Sequence, residues 1–238
     1  VDLCDEDGEG LGAVTRIDTK LAGRGLGARI AYRSVRNALR VLMTVWCRLT
    51  VEGRDNVPRE GPFILAPTHR SIIDSPVASA ATRRRMRFMG ADKWWEKNAQ
   101  FGWMLTALGG FPVTRGSADR EALKRCIAVL EGGEPLVLFP EGERKSGPTV
   151  QPLFDGAAYI AFRAGVPIVP MGIGGSERVM PRGSRFVWPR KMHAVIGPAI
   201  TPEPGLTGKA LRAATKELTD DLSGELQRLF DLAERRCH

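Results

Sequence analysis

His69 and Asp74 stand five residues apart in the stretch "APTHRSIIDSP", with Arg70 and Ser71 between them. An imidazole titrates near about 6.5, so it can take up a proton at neutral pH. A carboxylate on its second ring nitrogen fixes the tautomer and stabilises the imidazolium that forms. The two side chains meet if His69 precedes a helix and Asp74 lies in that helix's first turn. The same spacing fits a polar turn that merely caps a helix, and the residues alone leave both readings open. A metal centre is disfavoured, because no third ligand of suitable type is nearby and the four cysteines lack zinc spacing. "GGSE" at 174–177 does not complete the G-x-S-x-G turn of a serine nucleophile. A base at position 69 would therefore act on a substrate hydroxyl rather than on an enzyme side chain.

Three further groups of polar residues follow apolar runs. Thr114, Arg115 and Gly116 come after "FPV", Glu141, Gly142, Glu143 and Arg144 after "LVLFP", and Met171 and Gly172 after "PIVP". A guanidinium is always charged and matches phosphate oxygens with two parallel hydrogen bonds. Arg115 and Arg144 are thus anion candidates, as well as ordinary surface arginines, and Lys93 can add a point charge. Glu141 follows Phe139 and Pro140, a poor place for an unpaired carboxylate. Its partner is expected to be Arg144 or a substrate hydroxyl.

These residues need a frame that collects them. Short apolar runs, "FILA", "RFMGA", "FPV", "LVLFP", "VPIVPMGIGG" and "KMHAVIGP", read as strands. "KWWEKNAQFGWMLTALGG", "SADREALKRCIAVLEGG" with Ser117 as N-cap, "DGAAYIAFRAG" and residues 206–236 read as helices. Alternating strands and helices predict a single α/β domain with a mostly parallel central sheet flanked by helices. Chemistry in such sheets collects beyond the carboxyl ends of the strands, where the polar groups above fall.

Ahead of this frame, residues 28–49 carry helical period on two faces. Arg29, Arg33, Arg36 and Arg40 make a basic stripe; Val35, Leu39, Leu42, Trp46 and Leu49 make an apolar one. An amphipathic N-terminal helix of this kind suits a lipid interface, and equally a helix packed on a sheet with its arginines in water. Residues 1–27 are acidic and Gly-rich and read as a mobile arm, leaving 28–238 as the folded domain.

The first ten residues hold five acids and no base, so the remainder sets 35 basic against 22 acidic residues. Such a body calls for an anionic partner. No zinc-finger spacing or aromatic RNA-binding signature is present, which argues against nucleic acid. No stretch reaches the roughly 18 apolar residues of a spanning helix, and no secretory signal is read at the start. Scattered cysteines fit reduced thiols in a cytoplasmic setting.

Taken in order, "THRSIIDSP", "GGFPVTRG", "LFPEGER" and "VPIVP" resemble the four blocks of the 1-acylglycerol-3-phosphate acyltransferase family, with the likeness running over about residues 60–200. The resemblance implies a glycerolipid acyltransferase-type fold and transfer of a fatty acyl chain from acyl-CoA to lysophosphatidic acid, giving phosphatidic acid. It implies His69 as general base, Asp74 as its orienting acid, and Arg115 with Lys93 on the acceptor phosphate. Glu141 and Gly142 would bind the glycerol part, with Arg144 nearby, and the block at 166–170 would shape an apolar wall. No cofactor or metal is implied beyond the thioester co-substrate, acyl-CoA or acyl carrier protein. It also implies peripheral association with the inner face of an anionic membrane, through the amphipathic helix and the run Arg83, Arg84, Arg85 and Arg87. Thr68, Thr114 and Glu143 depart from the commoner asparagine, charged residue and threonine, which leaves the acceptor open to glycerol 3-phosphate or another lysophospholipid. A lipid- or CoA-binding scaffold without catalysis is the non-enzymatic alternative.

Overall fold

The structure, a computed structural model, describes residues 26–91, 105–106, 108–113 and 119–237. The sequence-predicted arm to residue 25, the helix across 93–104, the Ser117 cap, Lys93, Thr114 and Arg115 lie outside the described residues.

Among the described residues, fourteen segments build one seven-stranded sheet with helices on both faces. In chain order they are α1 (Leu26–Trp46), β1 (Thr50–Glu52), a 3-10 turn (Arg54–Asn56), β2 (Ile64–Pro67), α2 (Asp74–Ala81), β3 (Arg87–Ala91) and β4 (Gly110–Val113). Then follow α3 (Asp119–Glu131), β5 (Leu136–Val137), α4 (Gly156–Ala164), β6 (Ile168–Gly174), α5 (Ser176–Val179), β7 (His193–Ile196) and α6 (Gly208–Arg236). The strand order is β1-β7-β6-β2-β5-β3-β4. Every pairing is parallel except β6 with β7, so the mostly parallel sheet expected from the sequence is present.

Alternation along β2 divides the core. Phe63 and Leu65 point into a layer with Met43 of α1, Cys47 just after it, and Val77 and Ala78 of α2. Ile64 and Ala66 point into the opposite layer with Val129 of α3, Ile160 of α4 and Leu222, Leu226 and Phe230 of α6. A period of two on a strand covered on both sides yields an unbroken apolar run, which is why "FILA" shows no alternation in sequence. The block at 166–170 enters β6 and is core: Val166, Ile168 and Val169 are buried there. Helix α6 lies tight against β6, because a Cβ at Gly172 would come within 2.3 Å of the Leu229 carbonyl carbon and one at Gly174 within 2.4 Å of that of Ala233.

Helix α1 ends three residues before the sequence-predicted boundary. Arg48 takes φ 47° and the Leu49 amide donates back to the Met43 carbonyl at 3.0 Å, a left-handed closure of the last turn. Its sequence-predicted apolar stripe is divided: Leu49, just past the helix, is buried and Leu39 half-buried, while Val35, Leu42 and Trp46 face outward. Tyr32, Met43 and Cys47 are buried, whereas Ile30, Val35, Val41, Leu42, Val45 and Trp46 are exposed. The arginine run at 83–87 is also divided by the fold. Arg87 is buried and pairs with Glu134 at 3.3 Å, so it is withdrawn from any surface contact. Arg84 donates to the Pro58 and Gly61 carbonyls, and Arg85 lies over the Tyr32 ring. Of the four, Arg83 alone is exposed.

Candidate active site

Strands β2 and β5 are neighbours in the centre of the sheet, and the chain leaving each supplies the site. Beyond Pro67 the backbone turns through His69 and Ser71 into α2, whose first residue is Asp74. Beyond Val137 it runs through Phe139 and Glu141 into a long loop that reaches α4. The Lys145 amide donates to the His69 carbonyl at 2.8 Å and so binds the two exits together.

Asp74 is fully buried, and its Oδ2 is the hub of the first exit. It accepts the backbone amides of Arg70 at 2.7 Å and Ser71 at 2.6 Å, and lies 3.1 Å from His69 Nδ1. An ionised carboxylate only accepts, so Nδ1 carries the hydrogen and Nε2 carries the lone pair. Among the described residues Nε2 has no partner. The imidazole stacks on the Phe139 ring at 3.9 Å between centroids and 22° between planes, and its side chain keeps 16% of its surface exposed. A ring clamped on one face and at one nitrogen leaves the other nitrogen aimed by construction. The sequence-predicted meeting of His69 and Asp74 through a helix's first turn is therefore present as geometry.

Glu141 does not have the partner expected for it. Arg70 donates to both its oxygens at 2.8 Å, and both side chains are buried. The His69 amide adds a bond to Oε1 at 3.0 Å and the Gln151 amide one to Oε2 at 3.2 Å. Three donor nitrogens make four contacts with its two oxygens, and the residue is fully buried, which leaves no place for a glycerol hydroxyl. The expectation of Arg144 or a substrate on Glu141 is corrected accordingly: Glu141 braces the His69 backbone. Arg144 is half-buried, with no bonded partner among the described residues. Glu143, the departure that adds charge, pairs with Lys145 at 2.9 Å.

Gly142 occupies φ +72°, and a Cβ there would sit 2.6 Å from Phe154 Cε2. The positive φ favours glycine at this point of the loop, and a Cβ would also have to displace the exposed Phe154 ring. The rest of the loop hangs on distant elements. Arg70 Nε and Nη2 donate to the Gly147 and Thr149 carbonyls, and its guanidinium lies 4.8 Å from the centre of the Phe230 ring. Gln227 of α6 accepts from the Val150 amide at 2.7 Å and donates to the Pro148 carbonyl at 3.1 Å. Thr68, the other described departure, accepts the Ile173 amide through Oγ1 at 3.0 Å and so ties β2 to β6. Arg70 was visible in sequence only as His69's neighbour. Phe139, Gln227 and Phe230 carried no signal, since nothing local marks a residue that reaches the site from another element.

The sequence model of the Acyltransferase family matches residues 48–174, more than half of the chain and both of these exits. The chain belongs to the acyltransferase family. Relatives of this acyltransferase include the 1-acyl-sn-glycerol-3-phosphate acyltransferase of Bacillus subtilis, 27% identical over 202 residues, which are 84% of this chain and 98% of that one. A chloroplastic 1-acyl-sn-glycerol-3-phosphate acyltransferase of Brassica napus is 28% identical over 145 residues, 58% of this chain. The chain spans only 40% of the length of that relative. The fold of the acyltransferase is also that of the crystal structure of the 1-acyl-sn-glycerophosphate acyltransferase PlsC from Thermotoga maritima. The TM-score is 0.66 at 24% identity, covering 84% of this chain and 82% of that one.

Proposed function

We propose that this acyltransferase moves a fatty acyl group from a thioester, acyl-CoA or acyl carrier protein, to the free hydroxyl of 1-acylglycerol 3-phosphate. The observation that carries this reading is the His69–Asp74 hydrogen bond at the carboxyl end of β2, with Nε2 unbonded among the described residues. In the proposed step Nε2 takes the hydroxyl proton as the oxygen attacks the thioester carbonyl carbon. The tetrahedral intermediate collapses with cleavage of the C–S bond, and the imidazolium returns the proton to the departing thiolate. A thioester is already electrophilic, so one base plus positioning suffices without an acyl-enzyme. Asp74 offsets the charge that builds on the ring. Arg115 and Lys93 are assigned the acceptor phosphate; Gly142 and Arg144 are assigned to the acceptor's glycerol end.

The outward apolar face of α1 supports a peripheral place on an anionic membrane, flanked as it is by Arg29 and Arg33. No helix among the described residues is long and apolar enough to cross a membrane.

The test is thioester consumption by purified protein across paired donors and acceptors, with products identified by mass spectrometry. Phosphatidic acid from lysophosphatidic acid is expected. His69→Ala should lower turnover by about 10²–10⁴-fold with circular dichroism unchanged. Full turnover in that variant overturns the mechanism. Vesicle binding with no turnover on any pair favours a scaffold, and faster reaction with glycerol 3-phosphate moves the proposed acceptor.

A further inference from the structure

The loop between α5 and β7, "MPRGSRFVWPRK" at 180–191, carries four basic residues and no acid. Arg182, Arg185, Arg190 and Lys191 have no carboxylate partner among the described residues. Between them Phe186 is 52% exposed and Trp188 48% exposed, their rings edge to face at 4.9 Å. Val187 turns the other way and packs on the core. Large aromatics in water, rimmed by unpaired cations, are the opposite of what a solvated loop needs.

The loop is braced in that shape. The Trp188 amide donates to the Val179 carbonyl at 2.8 Å, Ser184 Oγ donates to the Phe186 carbonyl at 2.9 Å, and the Phe186 amide donates to Ser184 Oγ at 3.1 Å. Trp46 Nε1, at the end of α1, donates to the Val187 carbonyl at 2.8 Å. That bond ties the loop to the end of α1, where Val45 and Trp46 are exposed. On its other side the loop begins at Met180, whose carbonyl accepts Ser71 Oγ at 2.7 Å, two residues from His69. Ile72 beside it is exposed as well. Exposed apolar residues thus stand at the end of α1, on the loop and beside the first exit of the site.

We propose that the 181–191 loop is a second lipid-facing element: Phe186 and Trp188 insert at the headgroup level of an anionic bilayer, its cations meet the phosphates, and the Ser71–Met180 and Trp46–Val187 bonds hold the catalytic exit at that depth. Charge decides the occupant. Four unpaired cations around an aromatic pair match an anionic interface, where tryptophan sits with its ring at the boundary. A second copy of this chain would bring the same positive charge to the contact and be repelled. The inference rests on the proposed action at a membrane, and adds to it a surface separate from the outer face of α1.

The full-length protein is sedimented with phosphatidylcholine vesicles, with and without a quarter phosphatidylglycerol. Phe186→Ser combined with Trp188→Ser is expected to lower partitioning onto the anionic vesicles by roughly tenfold or more. Turnover of a short-chain, monomeric acceptor should stay at the wild-type level, which also reports that the variant is folded. Arg182→Glu with Arg185→Glu, which leaves the aromatic pair in place, is expected to weaken binding to the anionic vesicles and not to the neutral ones. Wild-type partitioning in both variants overturns the inference. So does loss of self-association in sedimentation velocity with vesicle binding intact, which reassigns the patch to a protein contact. A protein that binds vesicles through this loop yet transfers no acyl group leaves the surface standing and removes the chemistry; acyl transfer with loop-independent binding does the reverse.

Discussion

Arg70 closes on both carboxylate oxygens of Glu141 at 2.8 Å, across 71 residues of chain and out of contact with water. The bond joins the chain leaving β2 to the chain leaving β5, so His69 is placed by the sheet rather than by its own turn. Glu141 also holds the His69 amide, and Arg70 also holds the carbonyls of Gly147 and Thr149. One ion pair therefore fixes the backbone under the base and the loop beside it.

Breaking such a pair from one side leaves a buried charge unmatched, which costs about 3–5 kcal/mol. Arg70→Met and Glu141→Gln are each expected to fall in that range by urea denaturation. The double variant Arg70→Met with Glu141→Gln should cost clearly less than the two single changes added. Simple additivity in this cycle would mean that the two groups do not act on one another.

Asp74→Asn tests how the imidazole is held. All three donors meet the one oxygen Oδ2, so an asparagine that keeps its oxygen there holds the ring in place but loses the negative charge that stabilises the imidazolium. Turnover is expected to drop by about 10²–10⁴-fold with stability changed far less. A variant that loses folding and turnover in step would show that Asp74 serves the helix start alone.

Gly142→Ala places a side chain at positive φ and against Phe154. The conformational cost is about 1–2 kcal/mol, because the left-handed region crowds any Cβ. Phe154 is exposed and its ring can swing away, so the contact part is expected to vanish in a Gly142→Ala, Phe154→Ala background. Thermal unfolding of the four proteins separates the two parts. No recovery in that background would place the entire effect in the backbone.

His193 gives a pH dependence unconnected with catalysis. It is buried between β1 and β6, with Thr50 Oγ1 2.5 Å from Nδ1 and Glu52 Oε1 3.2 Å from Nε2. Burial pushes its pKa down, Glu52 pulls it up, and Arg236 and Lys191 push it down again, with the net shift downward. The unfolded chain then binds this proton more readily than the folded one, so stability is held above the ordinary imidazole value of about 6.5 and lost as pH falls below it. Denaturation midpoints at pH 7.5 and 5.0 should differ more for the wild type than for His193→Gln. An equal difference would remove His193 as the source.

Much of the fold was legible because the signals were local. Strand β6 is a run of apolar residues, α4 ends at a glycine in the left-handed conformation, and β2 is followed by polar residues where a parallel sheet collects them. Strand β1 was missed, since three residues carry no period. The apolar stripe of α1 was read correctly as a stripe, but period alone cannot say whether it faces a sheet or the outside. Tyr32, Met43 and Cys47 decide that by packing inward on an adjacent arc.

By itself the chain made the pairing of His69 with Asp74 possible, for the two lie five residues apart across one turn and one helix start. It also showed arginines beside the polar strand exits, at 70 and 144. Only the tertiary structure decided which arginine went where: Arg70 inward onto Glu141, Arg87 onto Glu134, Arg182 and Arg185 outward beside exposed aromatics. The physical reason is desolvation. A guanidinium can be buried only where a carboxylate and carbonyls from remote segments meet it, and that meeting exists only once the sheet has brought the strand ends together.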